Sequence, residues 1–202
     1  MAGDTKQVNR DRAKVFNLPN QVTILRLVLS LVLFYFLAYE YYLSSLVLFI
    51  FASATDWFDG YYARKYGQIT NLGRILDPFA DKVIVCGTFI FLASNQDILN
   101  VPWGLRAWMV VVIVGRELLV TALRSFIEER GGDFSAKWSG KIKMVLQCFA
   151  AAVCLFYLTY FSPLTNTPYW CRILLVVSVW AAVISTVYSG AVYIRAAFKQ
   201  LV

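Results

Sequence analysis

The chain has 202 residues, of which 59% are hydrophobic and 15% charged, with a formal net charge of +7 and no histidine. That length fits one domain, and that composition excludes an ordinary soluble one in favour of several membrane-spanning helices. The missing histidine excludes Ser-His-Asp and Cys-His sites and any His-ligated metal, so a general base must be a carboxylate, Lys, Tyr or Cys.

No basic face interleaved with aromatic residues is present, so the positive charge does not point to nucleic acid. Beside apolar helices it reads as cytoplasmic Lys and Arg next to anionic lipid. Cys86, Cys148, Cys154 and Cys171 all lie in apolar runs without a CxxC pair, and are expected as small buried hydrophobes.

Residues 1–17 are polar and basic, a tail or a short interfacial helix with Val8, Val15 and Phe16 at the headgroups. The apolar run after it is long for a signal peptide and ends at Tyr39-Glu40 without small cleavage residues, so a retained helix is expected. Leu18-Pro19-Asn20 breaks the chain, with Asn20 placed to cap a helix over 21–39 that contains Arg26. A second helix is expected over 44–63, starting apolar and ending in Asp56, Asp59 and Arg64. A third is expected over 73–94, with Asp77 and Asp81 in its first turns. Pro78 is tolerable there because early helical N–H groups lack partners.

Residues 95–104, with Pro102 and Gly104, read as a loop. A helix over 105–127 carries Arg116, Glu117 and Arg124, and the polar connection 128–140 contains Gly131-Gly132. A helix over 139–161 opens with Lys141 and Lys143, 162–168 is a loop, and the final helix is expected over 169–194. The expected fold is an all-α integral membrane protein: a basic segment 1–17, then one six-helix domain over 18–202 with a polar cavity open to the cytoplasm. The Lys- and Arg-rich segments put both termini on the cytoplasmic side. Trp103, Trp108 and Trp170 would then anchor the outer interface and Trp138 the inner one.

The charges inside these apolar segments carry the chemistry. A charge at the bilayer centre costs about 2.5–3.5 kcal/mol on insertion scales, which argues for a shared wet cavity. Asp56 and Asp59 are three apart and Asp77 and Asp81 four apart, spacings that place side chains on one helix face. Four carboxylates this close repel one another unless a cation neutralises them, and hard cations such as Mg²⁺ or Mn²⁺ take oxygen ligands. Two ions about 3.5–4 Å apart could bridge a phosphoryl group. Gly60 leaves room beside the second aspartate, and Arg64 and Lys65 bring charge for phosphate. Arg116, Arg124, Lys141 and Lys143 could hold a second, anionic substrate. Glu117 and Arg124, seven apart, also read as a structural ion pair. Intramembrane aspartates mark ion paths too, which keeps a divalent-cation transporter as a reading of another class, and a non-catalytic lipid-binding scaffold is a third.

Asp56-x-x-Asp59-Gly60-x-x-Ala63-Arg64 followed by Gly73-x-x-x-Asp77-x-x-x-Asp81 resembles the full signature of the CDP-alcohol phosphotransferase family. Four flanking motifs resemble the bacterial branch whose acceptor is sn-glycerol 3-phosphate. They are Leu18-Pro19-Asn20-x-x-Thr23-x-x-Arg26, Asp77-Pro78-x-Ala80-Asp81-Lys82, Arg116-Glu117 with Leu123-Arg124, and Gly140-Lys141-x-Lys143-x-x-x-Gln147. The motifs cover about residues 18–150. Met144 departs from the Thr expected after the second lysine, which touches the branch and not the metal site.

The resemblance implies a transferase of the bacterial inner membrane, generally homodimeric, with its active site facing the cytoplasm. Asp56, Asp59, Asp77 and Asp81 would hold Mg²⁺ or Mn²⁺, two ions in all, and Asp81 would also be the base. Pro19, Asn20, Thr23, Gly60, Ala63, Arg64, Thr70 and Gly73 would bind CDP-diacylglycerol, its acyl chains lying in membrane lipid. Arg116, Arg124, Lys141 and Lys143 would bind sn-glycerol 3-phosphate, and no organic cofactor is implied. Other acceptors in the family are inositol phosphate, serine and phosphatidylglycerol. The basic set argues against serine, but separates glycerol phosphate from inositol phosphate poorly.

Overall fold

The computed structural model describes residues 18–66, 71–129, 138–162 and 167–201, with side chains described at all of these positions except 18–22, 56–66, 71–78, 81, 128–129, 139 and 199–201. All regular structure among the described residues is helical. It comprises α1 (Leu18–Ala38), α2 (Tyr42–Tyr66), α3 (Asn71–Ser94), the short α4 (Gln96–Leu99), α5 (Ala107–Glu129), α6 (Trp138–Tyr160) and α7 (Tyr169–Leu201). The segment 1–17 lies outside the described residues.

The long helices fall where the apolar runs put them, with four local corrections. First, α1 begins at Leu18, so Asn20 sits inside its first turn and does not cap it. Pro19 is tolerated there because its missing N–H would have no helical partner. Second, the expected loop 95–104 contains α4. Asn95 Oδ1 accepts from the backbone N–H groups of Asp97 at 3.0 Å and Ile98 at 3.3 Å, a side-chain cap, and Ile98 is fully buried. Third, α7 runs to Leu201, because no Gly or Pro follows residue 194 and the Arg and Lys beyond it favour helix. Fourth, Pro78 lies about two turns into α3, past the orphan N–H groups, and so leaves the Arg74 carbonyl without its usual helical donor.

The helices pack as two squares sharing an edge. α1 packs on α2 and on α3, and α2 and α3 each pack on α6. On the other side α3 packs on α5, α5 on α7, and α7 on α6. The α3–α6 pair is common to both squares, and α2 and α3 face each other diagonally across the first.

One apolar core runs through both squares, with Leu33, Phe49, Phe89, Ile113, Leu155, Leu175 and Val179 among its buried members. Gly87 lets α1 approach α3: a Cβ there would lie 2.1 Å from Phe34 Cζ, and Phe34 stacks on Phe91 at 5.6 Å. Several buried hydroxyls are satisfied within their own helices, as in Ser30 to the Leu27 carbonyl at 2.7 Å and Thr88 to the Ile84 carbonyl at 2.7 Å. Cys86, Cys148, Cys154 and Cys171 are free thiols, the last two buried.

Gly140–Tyr160 and Tyr169–Phe198 are long and apolar enough to cross a membrane by length and composition. Large apolar side chains also line the outer surface, Leu31, Val111, Leu118, Val145 and Ile184 among them. An apolar exterior of this extent suits lipid contact better than water.

Candidate active site

The aspartate signature falls at the facing ends of two consecutive helices. α2 carries positions 56, 59, 60, 63 and 64 in its last turns, and α3 carries 73, 77 and 81 in its first turns. The side chains of Pro19, Asn20, Asp56, Asp59, Ala63, Arg64, Asp77 and Asp81 lie outside the described residues, as do the surroundings of Gly60 and Gly73 and the whole of Thr70. Thr23 and Arg26 of α1 are buried, and neither is free of a partner. Ser53, three residues before Asp56 on α2, has a buried hydroxyl with no hydrogen-bond partner among the described residues. A buried polar atom without a partner is costly, and this one belongs to the turn that leads into the aspartates.

The second half of the candidate site is a buried charge cluster where α5, α6 and α7 meet. Glu117 Oε1 accepts from Arg116 Nη1 at 3.1 Å and also from Lys143 Nζ in a close contact. The three side chains are only 10%, 8% and 6% exposed in the order Arg116, Glu117, Lys143, so their charges are little screened by solvent. Arg116 Nη2 donates to Ser189 Oγ at 2.7 Å, and its guanidinium lies 5.4 Å from the centre of the Tyr193 ring. Arg116 Nε is buried and has no acceptor among the described residues. Among the described residues, two cations against one carboxylate leave a buried excess of positive charge, which attracts an anion.

The expected Glu117–Arg124 pair is not formed: Glu117 is taken by Arg116 and by Lys143 of α6. Arg124 is half-buried on α5. Lys141 is exposed, its Nζ 5.3 Å from the centre of the Trp138 ring. Of the expected acceptor residues, the structure therefore brings Arg116 and Lys143 together and leaves Arg124 and Lys141 nearer the surface.

α3 joins the two halves. Lys82, adjacent to Asp81, is close enough for its charge to act on Glu117, and Cys86 one turn on lies near both Glu117 and Lys143. A cavity of about 790 Å³ lies at the other end of the helices, between Glu40, Tyr42, Asn95, Asp97 and Ser162, and is remote from this chemistry.

Residues 16–192 match the CDP-alcohol phosphatidyltransferase family. The chain belongs to that family. It is 35% identical to the CDP-diacylglycerol–glycerol-3-phosphate 3-phosphatidyltransferase of Bacillus subtilis, over 93% of this chain and 98% of the relative. It is 37% identical to a probable phosphatidylglycerophosphate synthase of Mycobacterium tuberculosis, over 94% of this chain and 86% of the relative. A CDP-diacylglycerol–glycerol-3-phosphate 3-phosphatidyltransferase of Rickettsia bellii is 33% identical over 91% and 96%.

A CDP-alcohol phosphatidyltransferase with two apolar helices of membrane-crossing length is a membrane protein. Ser189 and Tyr193 were not expected at this site. In the sequence they are two polar residues one turn apart in an apolar run, and only the α5–α7 packing shows what they touch.

Proposed function

We propose that this chain transfers a phosphatidyl group from CDP-diacylglycerol to sn-glycerol 3-phosphate, giving phosphatidylglycerophosphate and CMP. The match to the family over residues 16–192, with near full-length relatives named for this reaction, carries the reading. The excess of positive charge at Arg116 and Lys143 among the described residues supports an acceptor that itself carries phosphate.

The donor set fits a hard divalent cation, since Asp56, Asp59, Asp77 and Asp81 offer only oxygen and Ser53, three residues before the first of them, has a hydroxyl without a partner among the described residues. Mg²⁺ or Mn²⁺ held by these aspartates, two ions in all, would neutralise the pyrophosphate charge of the donor.

The chain's own residues do the rest. Gly60, Ala63, Arg64, Thr70 and Gly73 take the nucleotide and its phosphates, and Pro19, Asn20 and Thr23 border the cytidine. Arg116 and Lys143, with Arg124 and Lys141 nearer the surface, hold the acceptor phosphate so that its primary hydroxyl meets the phosphorus bearing the diacylglycerol. The Asp81 carboxylate takes the hydroxyl proton as the new P–O bond forms and the bond from that phosphorus to the CMP phosphate oxygen breaks. Transfer of this kind needs positioning and charge neutralisation more than covalent help from the protein.

The protein works as a homodimer in the bacterial inner membrane, with six spans, both termini and the active site on the cytoplasmic side. The Lys- and Arg-rich segments at that end support the orientation, and a soluble phosphorylated acceptor must meet a lipid donor at the membrane face.

The test is CMP release by the purified chain given CDP-diacylglycerol and Mg²⁺ or Mn²⁺, with and without sn-glycerol 3-phosphate. Release that needs both metal and glycerol phosphate supports the reading. Release only with inositol phosphate or phosphatidylglycerol removes the acceptor assignment, and Mn²⁺ flux into liposomes without donor would favour a transporter.

A further inference from the structure

We infer that Tyr193 of α7 is a positioning residue that holds the Arg116 guanidinium in the orientation that receives the acceptor phosphate. The inference rests on the reading of Arg116 given under Proposed function.

Arg116 is constrained on every side that the structure describes. Tyr193 lies under the guanidinium face, 5.4 Å from ring centre to Cζ. Ser189, one turn earlier on α7, accepts from Nη2 at 2.7 Å, and Glu117 accepts from Nη1 at 3.1 Å. Gly190 admits the stem, since a Cβ there would lie 3.2 Å from Arg116 Cγ. Two of its five N–H groups are taken in this way, and Nε is the nitrogen that is buried without any acceptor among the described residues.

Tyr193 itself is fixed. It is 2% exposed, and its hydroxyl sits where a Cβ on Gly140 would come within 2.9 Å. Gly140 opens the turn of α6 that carries Lys141 and Lys143. One tyrosine therefore touches both the arginine of α5 and the start of the lysine-bearing turn of α6.

A free arginine side chain carries rotamer entropy that binding would have to remove. An arginine already locked by its neighbours keeps that free energy for the ligand. A ring face under a desolvated guanidinium also favours its charge without occupying a donor, so Nε stays available.

The experiment uses the full chain in nanodiscs and measures KM for sn-glycerol 3-phosphate at saturating CDP-diacylglycerol, then the reverse. Tyr193→Leu is expected to raise the KM for glycerol phosphate about tenfold while leaving that for CDP-diacylglycerol within about twofold. Tyr193→Phe, which keeps the ring face, is expected to recover most of that loss. Ser189→Ala is expected to raise the same KM about fivefold. Equal rises in both KM values, or a loss of kcat alone, overturn the inference. If Tyr193→Leu does not fold, Ser189→Ala decides: an unchanged KM for glycerol phosphate overturns it. Wild-type protein that releases CMP without regard to glycerol phosphate overturns the reading beneath, a result separable from any seen only in the variants.

Discussion

Lys143 of α6 and Arg116 of α5 share one acceptor, Oε1 of Glu117. The carboxylate is what allows two buried cations to stand side by side in an apolar bundle. Removing one partner of such a group leaves uncompensated charge, which costs about 3–5 kcal/mol in buried ion pairs. Glu117→Ala should therefore lower the unfolding midpoint sharply in detergent. Glu117→Ala together with Lys143→Met should recover much of the loss, and thermal unfolding of the single and double variants reads the difference. A double variant no more stable than the single would contradict this account of the cluster.

Arg116→Ala should act on the acceptor and spare the donor. A charged hydrogen bond is worth about 1.5–3 kcal/mol, so kcat/KM for sn-glycerol 3-phosphate should fall about 10–100-fold. Binding of CDP-diacylglycerol, followed by equilibrium titration, should change little. Parallel loss of both would remove Arg116 from the acceptor side.

Asp81→Asn should keep donor binding and lose turnover. The amide cannot take the hydroxyl proton, and general-base contributions run to about 10²–10⁴-fold. CMP release in single-turnover conditions measures the step directly. Turnover at the wild-type rate would assign the base elsewhere.

Chelation with EDTA should bring CMP release to background, and added Mg²⁺ or Mn²⁺ should restore it. The reason is charge: four carboxylates and a pyrophosphate cannot share one end of two helices without cations. Undiminished release in excess EDTA would contradict an all-oxygen metal site.

Gly87→Ala should destabilise the bundle by about 1–3 kcal/mol, since its Cβ would meet the Phe34 ring and the α1–α3 contact must open. Phe34→Leu in the same chain should relieve part of that loss. A double-mutant cycle on unfolding midpoints gives the coupling, and strictly additive effects would rule out the contact.

Much of the fold is legible in the sequence, because runs of apolar residues broken by Pro, Gly and charges set where long helices start and stop. The short α4 is not, since a four-residue helix held by one Asn95 cap has no periodicity to read. The aspartate spacing is legible because each pair is local to one helix. The partner of Glu117 is not. Spacing within α5 favours Arg124, whereas the actual partner Lys143 is 26 residues away and arrives only through the packing of α5, α6 and α3. Ser189 and Tyr193 are invisible for the same reason: their role is a contact between helices, and a single helix face does not encode it.

The shared α3–α6 edge has an evolutionary consequence. In the proposed reading the nucleotide side is framed by α1 and α2 and the anion side by α5 and α7, and the main packing of each frame runs through α3 and α6. On that reading, new acceptors can be accommodated by rewriting α5 and α7 while the proposed nucleotide side, framed by α1 and α2, stays as it is. The two middle helices have no such freedom, because a change that suits one partner is felt at once by the other.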